Sequence, residues 1–503
     1  MLTSADTMDM GYLPDPVTLS YAAALRGARP RLPGESFHYA VFGAAHARAM
    51  GLLAASNPEG VLWSVGPGAG AALAQENLAN LRGLDCPLDD VAERLRTGKL
   101  ELPLLDYAVL DLSQNEMDVS VLAEVFASIT FLLAPGGLLA LRYTPFDPDT
   151  SADAPLEAVA GRLAVDATTP QARLELLADI DVLGGTRMTN TARVALNKAL
   201  ADKNADAFLA RYAASPKAES STAEIAEGLR GVDLVFLGNA DVAANYLELT
   251  APAAMHHVLA RLATHPACEI VKDMAMGTPL RCDLWSRQPQ MTANPVPRFG
   301  GFAFGVVRPV EDIPESLVFP GGRIDLSSDM FRQMIAELAA APMTIGDYLQ
   351  HKGISDEEEV KNILSVLQIL IAVGVVEPMR APFSGVLPTD PSWPKLEGPY
   401  NIRLRSISGG GMPFPVASIV RGRPILLPGI TATILKAVDQ GGISEAGARL
   451  SQLIEKHGLG TDPSLAALDA GDNEARLTAS WRLVERFCND DLPFLVTYGV
   501  LQA

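Results

Sequence analysis

The residues best suited to chemistry in this 503-residue chain stand at the ends of three apolar runs. HYAVF (His38 to Phe42) stops at Gly43, with His46 just beyond. VLWSV (Val61 to Val65) runs into Gly66-Pro67-Gly68-Ala69-Gly70, and DYAVLDL (Asp106 to Leu112) carries Asp111 next to its end. Glycine lets backbone N–H groups approach a ligand closely, and the start of a following helix favours anionic groups, so such turns can cradle a nucleotide. The candidate cofactor-contacting residues are Gly43, His46, Gly66, Gly68 and Asp111. A glycine cluster alone is a weak signal, because a tight strand-to-helix turn explains Gly66 to Gly70 equally well. No catalytic residue can be singled out from residue types and spacing.

The sequence between these positions supplies a scaffold for them. AAHARAMGLLAASN after Gly43 has helical spacing, and AALAQENLANLRGL reads as a helix behind the glycine cluster. The helix VSVLAEVFASITFLL leads through Ala134-Pro135-Gly136-Gly137 into the strand LLALRY. Strands alternating with helices predict βαβ units, hence a parallel sheet covered on both faces. Two registers compete. Either HYAVF is the first strand, or VLWSVGPGAG is, with Gly66, Gly68 and Gly70 as its turn. The second leaves only GLDCPLDDVAERLRTGKLELPLL before DYAVL, with no evident strand ending in an acid, whereas a βαβ unit needs about thirty residues. The first register is favoured.

At this point the chain resembles the class I S-adenosylmethionine-dependent methyltransferases, in which a strand like DYAVLDL precedes a helix and an L-x-P-G-G-x-L turn, matched here from Leu133 to Leu139. It is more closely similar to the bacterial branch with a methyltransferase regulatory domain, which includes rickettsial-type protein-lysine methyltransferases. Tyr12-x-Pro14-x-Pro16 before LSYAAALRG, the run NPEGVLWSV, the pair DYAVL and LAPGGLLALRY, and RCDLWSRQP carry that likeness over residues 10 to 310. The resemblance implies an α/β Rossmann-like class I methyltransferase domain followed by helical and winged-helix-like domains.

The departures from the family pattern concern the cofactor. An E-x-G-C-G-x-G turn is expected after the first strand, and the chain reads Val41-Phe42-Gly43-Ala44-Ala45-His46-Ala47. The second strand should end in a carboxylate for the ribose hydroxyls, yet Gly66 stands there. The family's His-Gly-Val-Tyr-Ser-Trp segment is replaced by Asp111 to Glu116, and its Tyr-Asn-x-x-Pro-Gly turn by Tyr143 to Pro148. The expectation is S-adenosylmethionine binding that is weak or lost, and a methyltransferase-like scaffold or regulatory partner of an active homologue. The alternative is an active methyltransferase acting on a protein lysine or a surface component. A third reading gives the pocket another nucleotide or small metabolite.

Length and composition bound the rest. A chain of this length suggests about three domains, and 48% hydrophobic residues suffice for full cores. A net charge of −19 without Lys/Arg clusters argues against nucleic acid or an anionic membrane and mostly implies solubility, although it would attract a basic protein partner; a protein partner or protein substrate is what the resemblance implies. Cys86, Cys268, Cys282 and Cys488 lie far apart with no C-x-x-C spacing, His256 and His257 cannot share one helix face, and no metal site is expected. The cysteine usage and an acidic N-terminus without a signal-like apolar core predict a cytoplasmic protein. ILSVLQILIAVGVV (Ile363 to Val376) is too short to span a bilayer and reads as a buried helix entering a strand.

The boundaries proposed from the sequence are 1–147 for the Rossmann-like domain, 148–222 for a helical insertion, 223–315 for the regulatory middle domain, 316–395 for a winged-helix-like domain and 396–503 for a C-terminal α/β or winged-helix-like domain. Apolar surface on the insertion could support a homodimer. Residues 223 to 262 read as helices, with DVAANYLEL resembling the family's H-x-Y-L-E segment, and Ala267 to Val271 and Arg281 to Ser286 as strands. Between Met343 and Met379, Thr344 and Ser355 are expected to cap two helices, Glu358 completing a capping box with Ser355. The acidic run Asp356 to Glu359 would repel phosphate and suits the helix dipole, so this module is expected to contact protein or to be structural. Arg421 and Arg423 could form a small anion site, although a solvated turn is favoured.

Overall fold

The computed structural model describes residues 13–31, 34–43, 46–74, 76–113, 119–145, 169–182, 190–214, 225, 228–229, 231–262, 268–278, 280–308, 310–380, 395–396, 401, 413–457 and 473–502. Aromatic and β-branched runs form the centre of a seven-stranded sheet: β1 (Phe37–Phe42), β2 (Gly60–Gly66), β4 (Leu105–Asp111) and β5 (Leu133–Tyr143). β3 (Leu81–Asp85), β6 (Val235–Asn239) and β7 (Arg281–Ser286) complete it in the order β3-β2-β1-β4-β5-β7-β6. Strands β1 to β5 are parallel, while β7 runs antiparallel to both β5 and β6. This is the doubly wound order with one antiparallel strand inserted before the last.

Alternation along the strands builds two cores. Tyr39 and Val41 of β1, with Tyr107 and Val109 of β4, face one core together with α1 (Pro16–Leu25) and α2 (Ala47–Ser56). Ala40, Phe42, Ala108 and Leu110 face the other, under Phe126 and Ile129 of α4 (Val119–Leu132), which follows α3 (Ala69–Ala74) among the helices. Asp15 caps α1 by accepting from the Thr18 backbone N–H at 2.8 Å, and Pro16 occupies the first helical turn, where its missing donor costs nothing.

The sheet decides between the two registers. β1 lies between β2 and β4, so FHYAVF is the first strand and VLWSV the second. A strand spans the end of the stretch read as a helix and the first three residues of the segment thought to lack one: Leu81-Arg82-Gly83-Leu84-Asp85 is β3, and α3 stops at Ala74. Residues 235 to 239 are likewise strand β6 within a stretch expected to be helical, and Cys268–Met276 is a helix where a strand was expected for Ala267 to Val271. Both missed strands are the edges of the sheet, with burial too shallow to demand an apolar run.

Beyond β5, α5 (Pro170–Val182), α6 (Asn190–Ala201) and α7 (Ala205–Ala214) pack with α8 (Cys268–Met276) in a separate apolar cluster around Leu177, Leu196, Phe208 and Ile270. Arg193 clasps Asp181 through Nε and Nη2 at 2.7 and 2.9 Å. A three-stranded antiparallel sheet follows, in the order β11 (Met343–Thr344), β8 (Ala303–Val306), β12 (Val376–Met379), after the hairpin of β9 (Ser316–Phe319) and β10 (Gly322–Asp325). Helices α9 (Asp329–Ala340), α10 (Ile345–Lys352) and α11 (Glu357–Ala372) accompany it. Thr344 caps α10 as expected, but α11 is capped by Asp356, which accepts from the Glu358 and Glu359 N–H groups at 3.0 Å; Ser355 lies one residue outside the helix. Among the described residues no helix is long and apolar enough to cross a membrane.

The C-terminal part, with β13 (Phe414–Val416), β14 (Ile425–Leu427), α12 (Gly429–Gly441), α13 (Ile443–His457), α14 (Asn473–Arg486) and α15 (Leu492–Thr497), is fastened to the first βα unit by buried polar contacts. Asn57 Nδ2 donates to the Gly422 carbonyl at 2.7 Å, the Ser418 N–H donates to Ser56 Oγ at 3.2 Å, and Arg380 pairs with Glu59 at 2.7 Å. Arg421 and Arg423 both pair with Glu377 of β12, so the Arg421-Gly422-Arg423 segment is an interior clamp instead of a solvated turn.

Candidate functional site

Gly43, Gly66 and Asp111 stand side by side at the carboxyl ends of β1, β2 and β4. The first and last flank the point where the winding of the sheet reverses, and open α/β sheets take their ligands there. Gly43 sits at φ +122°, a conformation closed to residues with a Cβ, and its N–H donates to the Val65 carbonyl at 3.0 Å. His46 precedes the first residue of α2, which places its ring over the crevice between β1 and β4.

That crevice is crossed by an ion-pair network. His46 Nε2 lies 2.8 Å from Asp111 Oδ2, and Arg142 Nη1 donates to the same oxygen at 2.8 Å. The Ser113 N–H and hydroxyl donate to Asp111 Oδ1 at 3.0 and 2.6 Å. An ionised carboxylate only accepts, so His46 carries its hydrogen on Nε2. Burial by itself would raise the Asp111 pKa, but the His46 hydrogen bond, the Arg142 charge and the Ser113 donors outweigh it and hold the carboxyl down to about 2. Asp111 is only 2% exposed, and both of its oxygens are occupied.

Gly66 and Gly68 belong to the turn into α3. Gly68 is at φ +71°, and the Gly70 N–H donates to Asp85 Oδ1 at 3.3 Å. Asp85 pairs in register with Gly66 across β2 and β3 and is exposed at the end of β3. It is the carboxylate nearest in the sheet to the position that should hold the ribose, yet it is aimed at the start of α3. The structure thus brings Gly43, His46, Gly66 and Asp111 to one edge and gives Gly68 to the turn. Arg142, Ser113 and Asp85 were not singled out from the sequence. Arg142, a lone charge at the end of the apolar strand LLALRY, was the available signal, because a buried charge requires a partner.

A second cluster lies on the same edge. Tyr143 ends β5 beside Arg281, which begins the antiparallel β7. Arg281 Nη1 donates to both Asp273 oxygens at 2.8 Å and its Nε to Asp283 Oδ1 at 2.6 Å; Tyr143 donates to Asp283 Oδ2 at 2.7 Å. Glu269 accepts from Arg281 and Lys272. Three carboxylates share two cations. Burial pushes the Asp273 carboxyl up to about 7, opposed by Arg281 and aided by the charges of Asp283 and Glu269. The RCDLW motif is therefore structural at Arg281, which binds β7 to α8, and at Asp283, which binds β7 to Tyr143 of β5.

The structure of PKMT2 from Rickettsia typhi in complex with AdoHcy matches with a TM-score of 0.61, covering 97% of this chain and 98% of that one at 16% identity. A second structure of PKMT2 from Rickettsia typhi matches with a TM-score of 0.57 over the same shares, also at 16% identity. The chain has a class I methyltransferase fold. No protein-family model matches it. The uncharacterized protein sll1526 of Synechocystis is 23% identical over 157 residues, a match spanning 31% of each chain.

Within the methyltransferase fold, the fit to S-adenosylmethionine is poor at two points on the chain itself. Gly66 leaves the end of β2 without an acceptor for ribose hydroxyls, and Asp111 is already saturated by His46, Arg142 and Ser113.

Proposed function

We propose that this protein is a methyltransferase-fold scaffold or regulatory partner in which the cofactor crevice is held closed by the His46–Asp111–Arg142 network. The saturated carboxylate of Asp111 is the observation that carries this reading, because a ligand entering between β1 and β4 would have to break a buried ion pair to gain contacts. The helix, strand, helix, helix, strand order from α9 to β12 supports a winged-helix-like module, and the acidic start of α11 suits a protein contact. The acidic chain would work in the cytoplasm on a protein partner.

Isothermal titration of the full chain with S-adenosylmethionine and with S-adenosylhomocysteine tests it. No heat is expected at near-millimolar ligand. Low-micromolar binding that disappears in His46→Trp would overturn the scaffold reading. It would favour the second one, an active methyltransferase on a protein lysine or a surface component, which the likeness over nearly the whole chain to an AdoHcy-bound structure supports, and methyl transfer to an acceptor would then be the next test. Gly43 is a poor place for that substitution, since its φ would strain any side chain whether or not a pocket exists.

A further inference from the structure

Helix α2 is anchored at both ends by groups from distant parts of the chain. His46, its N-cap residue, makes no side-chain cap bond and commits its ring to Asp111 instead. At the other end the buried Ser56 and Asn57 meet the C-terminal segment 416–423. Asn57 Nδ2 donates to the Leu53 carbonyl at 2.9 Å and to the Gly422 carbonyl at 2.7 Å, so one amide serves an orphan carbonyl of the helix and one of the C-terminal part. Ser56 Oγ donates to the Leu52 carbonyl at 2.9 Å and accepts from the Ser418 N–H at 3.2 Å, while Arg380 Nη1 donates to the Ser56 carbonyl at 3.1 Å. Asn80 holds the same end from within the first domain, donating to the Ala54 and Asn57 carbonyls at 3.1 and 3.0 Å.

Segment 416–423 is itself tied to the rest of the C-terminal half. Arg421 and Arg423 pair with Glu377 of β12, the Arg380 N–H donates to the Val420 carbonyl at 2.9 Å, and Ser418 Oγ donates to the Tyr498 carbonyl at 2.5 Å. The ten residues of α2 thus form a strut about 15 Å long between the crevice and the C-terminal half. Between its anchors Met50, Leu53 and Ala54 pack into the core, a contact that is non-directional, so the polar anchors fix where the helix lies along its axis. A helix this short is marginal by itself, and releasing one anchor weakens the hold of the other.

We infer that α2 couples the docking of the C-terminal half to the closure of the crevice. With segment 416–423 seated on Ser56 and Asn57, His46 is held on Asp111; lifting the segment lets α2 pivot about Asn80, releases His46 and opens the space between β1 and β4. The inference rests on the reading above in taking the His46–Asp111 contact as the closure. Ser56 and Asn57 are positioning residues, acting on the crevice only through the helix.

Hydrogen–deuterium exchange of the full chain without cofactor, followed by mass spectrometry, tests the coupling, each variant being read at the end it does not touch. Asn57→Ala should speed exchange in residues 46–52 at least about fivefold, and His46→Ala should speed exchange in residues 416–423 by a similar factor, because coupling between two sites is reciprocal. Strand β5 should exchange at the wild-type rate in both. Asp356→Ala, which removes the cap of α11, should leave both segments unchanged. Ser56→Ala is the milder clamp variant and should act in the same direction by a smaller factor; it decides the matter if Asn57→Ala also speeds exchange in β5. Loosening confined to the substituted end, loosening of either segment in Asp356→Ala, or a rise in β5 equal to the rise at the remote end in both clamp variants would each overturn the coupling. Binding of S-adenosylmethionine by the wild type would sink the scaffold reading and leave the exchange result standing, so the two failures are distinguishable.

Discussion

His46 and Asp111, 65 positions apart in the chain, meet at 2.8 Å across the crevice between β1 and β4, and Arg142 from β5 joins the same oxygen. The ring of His46 ties the start of α2 to the end of β4, and Arg142 ties β4 to β5 through the in-register pair Asp111 and Arg142. The contact therefore braces three neighbouring elements at the edge where the fold would otherwise open to a ligand.

Removing the charge at the centre of that network should be expensive. Asp111→Asn leaves the Arg142 guanidinium, itself almost buried, without its counter-ion and is expected to cost about 3 kcal/mol in urea unfolding. Arg142→Met alone should also destabilise, and the double variant should cost clearly less than the sum, because the residues act as a pair. Additive losses would show that the carboxylate is satisfied without Arg142.

Acid should weaken the fold through the same carboxylate. Its pKa is held down to about 2, below the free aspartate value of about 3.9, so the folded state binds fewer protons than the unfolded chain. Its stabilisation, about 2 kcal/mol by that difference, is complete above the free value and lost as pH falls through about 2. Chemical denaturation from pH 5 downward should show a shallower loss in Asp111→Asn than in the wild type; parallel curves would refute the assignment.

Asp273 should act with the opposite sign. Its pKa is pushed up to about 7, so its favourable contribution is complete below the free aspartate value and disappears as pH rises through about 7. Asp273→Asn retains an acceptor for Arg281 and removes the titration. Compared with the wild type, the variant should gain stability as pH is raised from 5 to 8, read from urea midpoints. A gap that stays constant with pH would mean that Arg281 fully offsets the burial of Asp273.

Backbone crowding makes a separate prediction for the edge strand β3. A Cβ on Gly83 would lie 2.4 Å from the Ala69 carbonyl oxygen, a backbone atom that cannot rotate away. Gly83→Ala should push α3 off β3 and cost about 2 kcal/mol, measurable by thermal unfolding. An unchanged midpoint would mean that α3 is free to move.

At α11, the two adjacent candidates for the cap can be told apart. Asp356→Ala should cost about 1 kcal/mol and Ser355→Ala almost nothing, because only Asp356 accepts from the first-turn N–H groups. Equal losses in chemical denaturation would return the cap to Ser355.

What the sequence determined by itself were the elements whose physics is local or whose burial is complete. β1, β2, β4 and β5 lie inside the sheet and show largely apolar or aromatic runs, because neighbours on both sides and helices on both faces favour apolar side chains there. Thr344 could be read as a cap because its partner is three residues away. The edge strands β3 and β6 were hidden for the converse reason: with one neighbour each, LRGLD and VFLGN tolerate charge, glycine and exposure, and only pairing with β2 and β7 makes them strands. The candidate site divides the same way. Gly43, Gly66 and Asp111 could be placed at strand ends from their flanking runs. That Asp111 spends both oxygens on His46, Arg142 and Ser113 was decided by tertiary structure alone, since parallel register and the entry of α2 bring together residues that no sequence spacing connects.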